Sequence, residues 1–223
     1  MHDKANYLNR RLLRRFAPGG DTTFFSPEDF EWLGVIEDNW QLIRADLDVV
    51  LGDLHSIPSF QDVSRAQNAL TEGDDWKTFI LMARGAGVPD AIERCPDTFR
   101  LIQQIPGVDS ALFSILAPGK RLEPHDGPTA AVLRYHLGLR IPEGDCGIRV
   151  GGDERRWHEG KSLVFDDSFE HEAWNNTSEV RGILFVDFVR PLPFPYSVAN
   201  RATFGLHKRS QFSQEIVANA TTT

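Results

Sequence analysis

Two histidines, His125 and His171, bracket the part of the chain that is densest in strand patterns, charges and glycines. His125 lies in the motif PHDGPT, and His171 lies in FDDSFEHEAWN. Imidazole suits iron as a ligand, and an iron site with open coordination positions can take oxygen and a co-substrate. We therefore predict that the two histidines bind one iron ion. The alternative is that each is a surface or hydrogen-bonded core residue, which is commoner for a single histidine.

The residues that follow His125 depart from the usual iron-binding pattern. Non-haem Fe(II) oxygenases commonly use two histidines and one carboxylate, written in sequence as His-x-Asp or His-x-Glu with a distant second histidine. Here Gly127 occupies the carboxylate position, and Asp126 comes one residue too early. The pattern therefore favours oxygenase chemistry but supplies only two protein ligands.

A cationic face is predicted on the strand pattern at 130–141. Side chains of a strand point alternately to opposite faces, so Arg134, His136 and Arg140 share one face while Tyr135 and the leucines share the other. The ordinary alternative is a half-exposed strand whose polar face meets water. The strand by itself does not decide between these.

A second strand pattern, 180–189, begins with Arg181 and is otherwise mostly apolar. A guanidinium placed near a core must be paired, because removing an unpaired charge from water is very costly. A carboxylate ligand would pair it in bidentate geometry. Ser114 and Leu116 share one face of the strand SALFSIL. Together with the cationic face, Ser114 and Arg181 predict a site for a small dianion.

These residues need a scaffold, and the rest of the sequence predicts one. An apolar stripe with a Ser-Pro start predicts a helix over 26–51, and a shorter helix is expected over 96–105. A strand is expected over 73–83. From 109 to 190 many short strand patterns, including one around Trp157, are separated by Gly, Pro and Asn turns. This pattern is typical of an antiparallel sandwich or jelly roll.

The bulk properties exclude several classes of protein. The chain has 223 residues and a formal net charge of -8, which gives no electrostatic footprint for nucleic acid. Its two cysteines lack metal-binding spacing, and no apolar run is long enough to span a membrane, so we expect a cytoplasmic protein without a transmembrane segment. The basic, amphipathic N-terminus either contacts an anionic lipid or partner, or is a solvated helix.

Several motifs in order resemble those of the aspartyl/asparaginyl β-hydroxylase family of 2-oxoglutarate-dependent dioxygenases. They are PHDGPT, LRYHLGL, GIRVG, FDDSFEHEAWN and the pattern Arg181-x5-Asp187-x3-Pro191. The resemblance covers about 73–191 and is strongest over 114–191. It implies a mainly β fold, a distorted double-stranded β-helix of the cupin-type jelly roll, with flanking N-terminal helices. It also implies Fe(II), 2-oxoglutarate and O2 as cofactor and co-substrates.

The resemblance implies roles for individual residues. In this family the iron is held by two histidines and a glycine replaces the carboxylate, as in His125, Gly127 and His171. Independently of the resemblance, we expect Asp167, or alternatively Asp126, to hydrogen-bond a water of the metal shell, with a role in an exposed turn as the alternative for either. We also expect Arg140 and Trp76 on the substrate side, with a core position as the alternative for Trp76. The residues expected to bind 2-oxoglutarate are Ser114, Leu116, Arg134, His136 and Arg181.

We thus expect a hydroxylase that releases succinate and CO2 while oxidising an unactivated C–H bond of an aspartyl, asparaginyl or related small carboxylate-bearing substrate. A fatty acyl or carrier-bound substrate, a halogenating outcome and a non-catalytic binding module remain alternatives. We predict one domain over 1–223, with helical support over about 1–70, a catalytic core over about 73–191 and an extension over 192–223. The cysteine pair and helical repeats of the animal members are absent from this sequence.

Overall fold

Two antiparallel β-sheets form the centre of the protein. The computed structural model describes residues 10–15, 17–53, 57, 75–127 and 129–208. The larger sheet has seven strands in the order β1-β9-β6-β11-β4-β2-β3, and the smaller has four in the order β5-β10-β7-β8. The strands are β1 Phe24–Phe25, β2 Trp76–Ala83, β3 Ala86–Gly87, β4 Val108–Leu116, β5 Lys120–His125, β6 Val132–Arg140, β7 Cys146–Val150, β8 Asp153–Arg155, β9 Ser162–Phe165, β10 His171–Asn175 and β11 Arg181–Val189.

Within the described ranges, five helices accompany the sheets, two before β2, two between β3 and β4, and one after β11. They are α1 Trp32–Asp38, α2 Trp40–Leu51, α3 Pro89–Arg94, α4 Pro96–Ile102 and α5 Tyr196–Lys208. Residues 10–15 are also helical, and a 3-10 turn spans Pro27–Asp29. In the part of the chain that the structure describes, no helix is long and apolar enough to cross a membrane.

Alternation along the central strands divides the interior into two cores. Leu133, Tyr135 and Leu137 of β6 face the helices, where they join a cluster with Ile43 and Leu47 of α2. The second core lies between the sheets and contains Trp76, Leu116, Leu122, Ile148, Trp157, Phe165 and Ile183. Arg134, His136 and Arg181 therefore face the space between the sheets, whereas Arg140, predicted on the same face of β6, does not line it. This confirms the predicted jelly roll and, except at Arg140, the two faces of β6.

The predicted helix over 26–51 is wrong in its continuity. A 3-10 turn precedes α1, and a break at Asn39 separates α1 from α2. Asn39 has φ -111° and ψ 17°, and its side-chain amide donates to Val35 O at 2.8 Å. Asparagine side chains compete in this way with helical backbone hydrogen bonds. The apolar stripe continues through the break, which is why periodicity alone missed it.

Other boundaries also differ from the prediction. The helix expected over 96–105 ends at Ile102, and the strand expected around Trp157 ends at Arg155. Strand β5 was missed, because its sequence KRLEPH is polar and contains a proline. Helices α3 and α5 were missed as well. The proposed C-terminal extension is described only as far as residue 208.

Leu47 provides a test of the core between α2 and the large sheet. Its side chain is fully buried, and a Cβ built on Gly182 of β11 would lie 2.7 Å from Leu47 Cδ2. We expect Leu47→Ala to lower the free energy of unfolding by about 2–5 kcal/mol, because it leaves a cavity in a packed interior. Urea unfolding measures this change. Val49→Ala is the control: Val49 on the same helix is 57% exposed, so a loss below about 0.5 kcal/mol is expected. Equal losses in both variants would contradict the packing.

Candidate metal and anion site

The two sequence-predicted iron ligands meet across a strand pair. His125 ends β5, His171 begins β10, and the antiparallel register places their Cα atoms directly opposite each other. The imidazole ring centroids are 4.2 Å apart. Residues directly opposite in an antiparallel pair are close enough for their side chains to interact. The β5–β10 register therefore brings together two histidines that are far apart in the sequence.

Each histidine is oriented by a carbonyl two residues earlier in the chain. His125 Nδ1 lies 2.7 Å from Glu123 O, and His171 Nδ1 lies 3.0 Å from Phe169 O. A carbonyl only accepts, so Nδ1 carries the proton in both rings and Nε2 keeps its lone pair. Metal-ligating histidines are commonly fixed in this manner.

Burial keeps both imidazoles neutral. It lowers the pKa of His125 and lowers that of His171 well below its usual value, and Arg134 and the opposing histidine act in the same direction on His171. A neutral imidazole is the form that binds a metal. Across the described ranges, no group of three or more His, Cys, Asp or Glu side chains is placed to hold a metal. The donor set is thus a two-histidine pair, and it suits a metal that accepts nitrogen and keeps other positions for water or ligands.

Steric packing explains why a glycine occupies position 127, next to the histidine pair. A Cβ at Gly127 would lie 2.1 Å from Asp167 Oδ2, so the Asp167 side chain occupies the space that any larger residue would need. Gly127 N also donates to Asp167 O at 2.8 Å. A carboxylate at position 127 is therefore incompatible with this packing, and the nearby carboxylate comes from position 167.

Asp167 is fully buried beside Arg134. Arg134 Nη2 lies 2.7 Å from Asp167 Oδ2, and its Nε donates to Asp187 Oδ1 at 2.9 Å. Burial raises the pKa of Asp167 to about 7, although Arg134 opposes the shift. Arg134 Nη1 also lies 3.5 Å from His171 Nε2. Arg134 is thus held by two carboxylates at the edge of the histidine pair.

Arg181 has a different environment, although it was predicted to share a ligand with Arg134. It is 1% exposed, its guanidinium lies 4.9 Å from the centroid of the Trp157 ring, and Nη1 donates to Ser114 O at 3.2 Å and Ser114 Oγ at 3.3 Å. Trp76 Nε1 donates to the same hydroxyl at 3.0 Å. Among the described residues Arg181 has no carboxylate partner, and its Nε has no hydrogen bond. Burial lowers its pKa to about 10, so it is still cationic at neutral pH.

Further donors surround the same narrow cavity. His136 and Trp157 are buried, and within the described part of the chain the ring nitrogens of both have no hydrogen-bond partner. Burial lowers the pKa of His136 well below its usual value. The cavity is lined by Trp76, Ser114, Leu122, His125, Arg134, His136, Ile148, Trp157, Phe165, His171, Ala173, Arg181, Ile183 and Phe185. The two histidines of the pair and the cationic residues thus face one space.

Four predicted residues lie outside this lining, and one of them is Asp167, which contacts the lining residue Arg134. Leu116 is buried behind the lining in the core between the sheets. Asp126 is half exposed and forms an ion pair with Arg10 at 2.8 Å. Arg140 is opposite Gly182 at the end of β6 and does not line the cavity. Trp76, by contrast, belongs to the cavity wall.

Sequence reasoning missed Trp157 as a site residue. It lies in the loop after β8, outside any strand pattern, and a single tryptophan gives no signal of a binding role. Only the fold shows that its indole N–H points into a cavity lined by two arginines.

The fold and the cavity define a class of protein: a β jelly roll with paired histidines and a cationic pocket between its sheets. The family model described as aspartyl/asparaginyl beta-hydroxylase matches residues 37–191. The chain therefore belongs to this family of hydroxylases.

Individual relatives extend the match. An ornithine lipid ester-linked acyl 2-hydroxylase of Rhizobium tropici is 41% identical over 207 residues, which are 92% of this chain and 74% of that protein. The human aspartyl/asparaginyl beta-hydroxylase is 37% identical over 161 residues, which are 70% of this chain but 21% of the human protein. A cupin barrel protein of Salinispora arenicola overlaps 60% of this chain and 88% of its own, with 13% identity and a TM-score of 0.35.

The contact between Gly127 and Asp167 predicts coupled effects of mutation. We expect Gly127→Ala to lower the free energy of unfolding by about 1–3 kcal/mol, because the added methyl group overlaps the Asp167 carboxylate. In the double variant with Asp167→Ala, we expect the loss to fall short of the sum of the single losses by roughly 1 kcal/mol or more. Urea unfolding of the four proteins measures the coupling.

The control for this cycle is Gly152→Ala, since no atom lies within 4 Å of a Cβ at Gly152. It should leave stability unchanged and show no coupling to Asp167→Ala. Additive losses for positions 127 and 167 would refute the steric explanation of the glycine.

Proposed function

We propose that the protein is an Fe(II)- and 2-oxoglutarate-dependent dioxygenase, in which His125 and His171 hold the iron and Arg181 binds the far carboxylate of 2-oxoglutarate. The observation that carries this proposal is the buried Arg181 guanidinium. A buried charge without a counterion costs several kcal/mol, and the described residues supply no carboxylate to it. An anionic ligand entering the cavity would supply the missing charge.

The other donors around the cavity favour a dicarboxylate over a single small anion. Ser114 Oγ is placed by Trp76 and Arg181, while His136 and the Trp157 indole N–H remain available for acceptor oxygens. A ligand that reaches from Arg181 to the histidine pair must carry acceptors at both ends. 2-Oxoglutarate has this form, with one carboxylate at the far end and a keto acid at the other.

When bound by the histidine pair, Fe(II) would use O2 to decarboxylate 2-oxoglutarate and hydroxylate an unactivated C–H bond, with succinate and CO2 as co-products. The protein positions the reactants. The carbonyls of Glu123 and Phe169 fix the two imidazoles with Nε2 exposed to the cavity. Asp167 holds Arg134 at the edge of the pair, and we propose that it hydrogen-bonds a water of the metal shell. Leu116 backs the co-substrate pocket from the core.

An ester-linked acyl chain of a lipid is the first candidate substrate. The family description favours an aspartyl or asparaginyl residue, the substrate class expected from sequence. The rhizobial acyl 2-hydroxylase, however, aligns with 92% of this chain, well beyond the 37–191 region shared with the family model. The alignment with an acyl 2-hydroxylase of an ornithine lipid therefore extends beyond the region of the family model. An aspartyl or asparaginyl side chain is the second candidate.

Succinate formation tests the reaction and both substrates. With Fe(II), ascorbate and 2-oxoglutarate, we expect succinate and a product heavier by one oxygen from an ornithine lipid with an ester-linked acyl chain. An aspartyl-containing peptide supplies the second arm. His125→Ala and His171→Ala should abolish anaerobic Fe(II) binding and turnover, because a single remaining imidazole is a weak site.

Two controls accompany this experiment. His158→Ala changes an exposed histidine outside the cavity and should retain wild-type iron binding. If only the peptide is hydroxylated, the proposed lipid substrate is wrong and the proposed oxygenase reaction is supported. Unchanged iron binding in either ligand variant would refute the metal site, and iron binding without succinate formation would favour a binding module.

Arg181→Leu tests the carboxylate clamp. We expect the KM for 2-oxoglutarate to rise at least about 30-fold, since truncating one partner of a buried charged pair costs about 2 kcal/mol or more. Anaerobic Fe(II) binding should persist, which shows that the variant is folded. The KM of Arg181→Lys should lie between those of the wild type and Arg181→Leu, because lysine keeps the charge but loses the bidentate geometry. Arg100→Leu, an exposed arginine on α4, is the matched control. An unaltered KM for Arg181→Leu would show that Arg181 does not bind the far carboxylate of 2-oxoglutarate.

A further inference from the structure

We propose that the N-terminal helical segment and the start of α5 form a surface that docks on an anionic lipid bilayer. This docking surface consists of three exposed apolar residues, Leu12, Phe194 and Val198, and three exposed arginines, Arg11, Arg15 and Arg201. The proposal deepens the proposed function, on which its choice of a lipid partner rests in part.

A small apolar cluster joins the two segments. Leu13, Ala17 and Ala130 are buried together, and Leu192 and Tyr196 pack against them. The helical segment 10–15 therefore lies against the chain that leads into α5. Leu12 directly precedes Leu13 of this cluster, and Phe194 and Val198 each lie two residues from Tyr196 in the chain, so the exposed apolar residues are all close in sequence to one packed cluster.

The apolar residues of the docking surface are highly exposed and lie on neighbouring elements. Phe194 is 82% exposed, Val198 is 60% exposed and Leu12 is 48% exposed. Single exposed apolar residues are normal, but a group on neighbouring elements marks an interaction surface. An aromatic ring and aliphatic side chains beside arginines are the composition of helices that lie in a membrane interface.

The charge of the two segments is opposite to that of the whole protein. The chain carries a formal net charge of -8, yet residues 4–20 and 188–214 contain nine of its 24 Lys and Arg residues and none of its 32 Asp and Glu residues. Arg190, Arg10 and Arg14 are used in internal contacts, and Arg11, Arg15 and Arg201 are exposed to solvent. This local positive charge complements an anionic lipid surface. The remaining surface is acidic and would be repelled, which fixes the orientation of docking.

The docking surface adjoins the loops that carry the histidine pair. Arg10 forms its ion pair with Asp126, next to His125, and also donates to Gly127 O at 2.8 Å. Arg14 donates to Ser168 O at 2.7 Å and stacks on Phe169, whose carbonyl orients His171. A bilayer bound at this surface would lie beside the catalytic cavity, where an acyl chain leaving the membrane meets the metal site.

Vesicle co-sedimentation of the full chain tests the docking surface without iron or 2-oxoglutarate. We expect wild-type protein to sediment with vesicles of phosphatidylglycerol and phosphatidylcholine, to remain in solution with phosphatidylcholine alone, and to bind less at high salt. Leu12→Ser/Phe194→Ser and Arg11→Glu/Arg15→Glu should each weaken binding about tenfold or more.

Matched controls carry the same changes elsewhere. Val35→Ser/Val49→Ser alters two exposed valines of α1 and α2, and Arg100→Glu/Arg155→Glu reverses two exposed arginines of α4 and β8. Both controls should bind vesicles as the wild type does, and thermal unfolding should show that all variants are folded. Absence of wild-type binding, or equal losses in docking and control variants, would overturn the proposal. So would a change of oligomeric state in the docking variants, which would assign the surface to a second copy of the chain.

The outcome is distinguishable from that of the proposed function. Vesicle binding without hydroxylation of the lipid would leave the docking surface standing and refute the substrate. Hydroxylation of detergent-dispersed lipid without vesicle binding would support the lipid substrate and refute the docking surface.

Discussion

The antiparallel pairing of β5 with β10 is the constraint on which the site depends. It sets His125 opposite His171, and the bond from Gly127 N to Asp167 O ties together the loops beside those strands. A shift of the register by one residue would turn one histidine to the other face of its sheet. The juxtaposition of the two histidines is therefore a property of strand pairing, and the backbone contact beyond the strand ends keeps that pairing in place.

Charge compensation distinguishes the two arginines of the cavity. Arg134 forms ion pairs with Asp167 and Asp187, so its charge is already paired within the protein and helps to position neighbouring groups. Arg181 is more deeply buried than Arg134 and contacts a hydroxyl, a carbonyl and an aromatic ring. Because the free energy of burying an uncompensated charge is high, only Arg181 is suited to bind an external carboxylate. Two residues with the same side chain thus have different charge environments, which suit them to different roles.

Much of the fold could be predicted from alternation and turn residues. The two faces of β6 and β11 followed directly from the sequence, as did the jelly roll. The failures have local causes. The helix break at Asn39 interrupts no apolar periodicity, and β5 carries a polar, proline-containing sequence that is a strand only because β10 pairs with it. Trp157 gave no signal, since its role comes from the loop path and not from its neighbours in sequence.

The sequence by itself determined which residues face inward and which motifs the chain shares with its family, because period-two alternation and local turn chemistry are written in neighbouring residues. The family membership of the chain is shown by the match of the family model to residues 37–191. Only the tertiary structure decided that Asp167 fills the space beside Gly127, that Arg134 is already paired, and that the N-terminal segment lies against the start of α5. These are contacts between residues far apart in the chain, and their distances depend on strand register and packing, which no local pattern encodes.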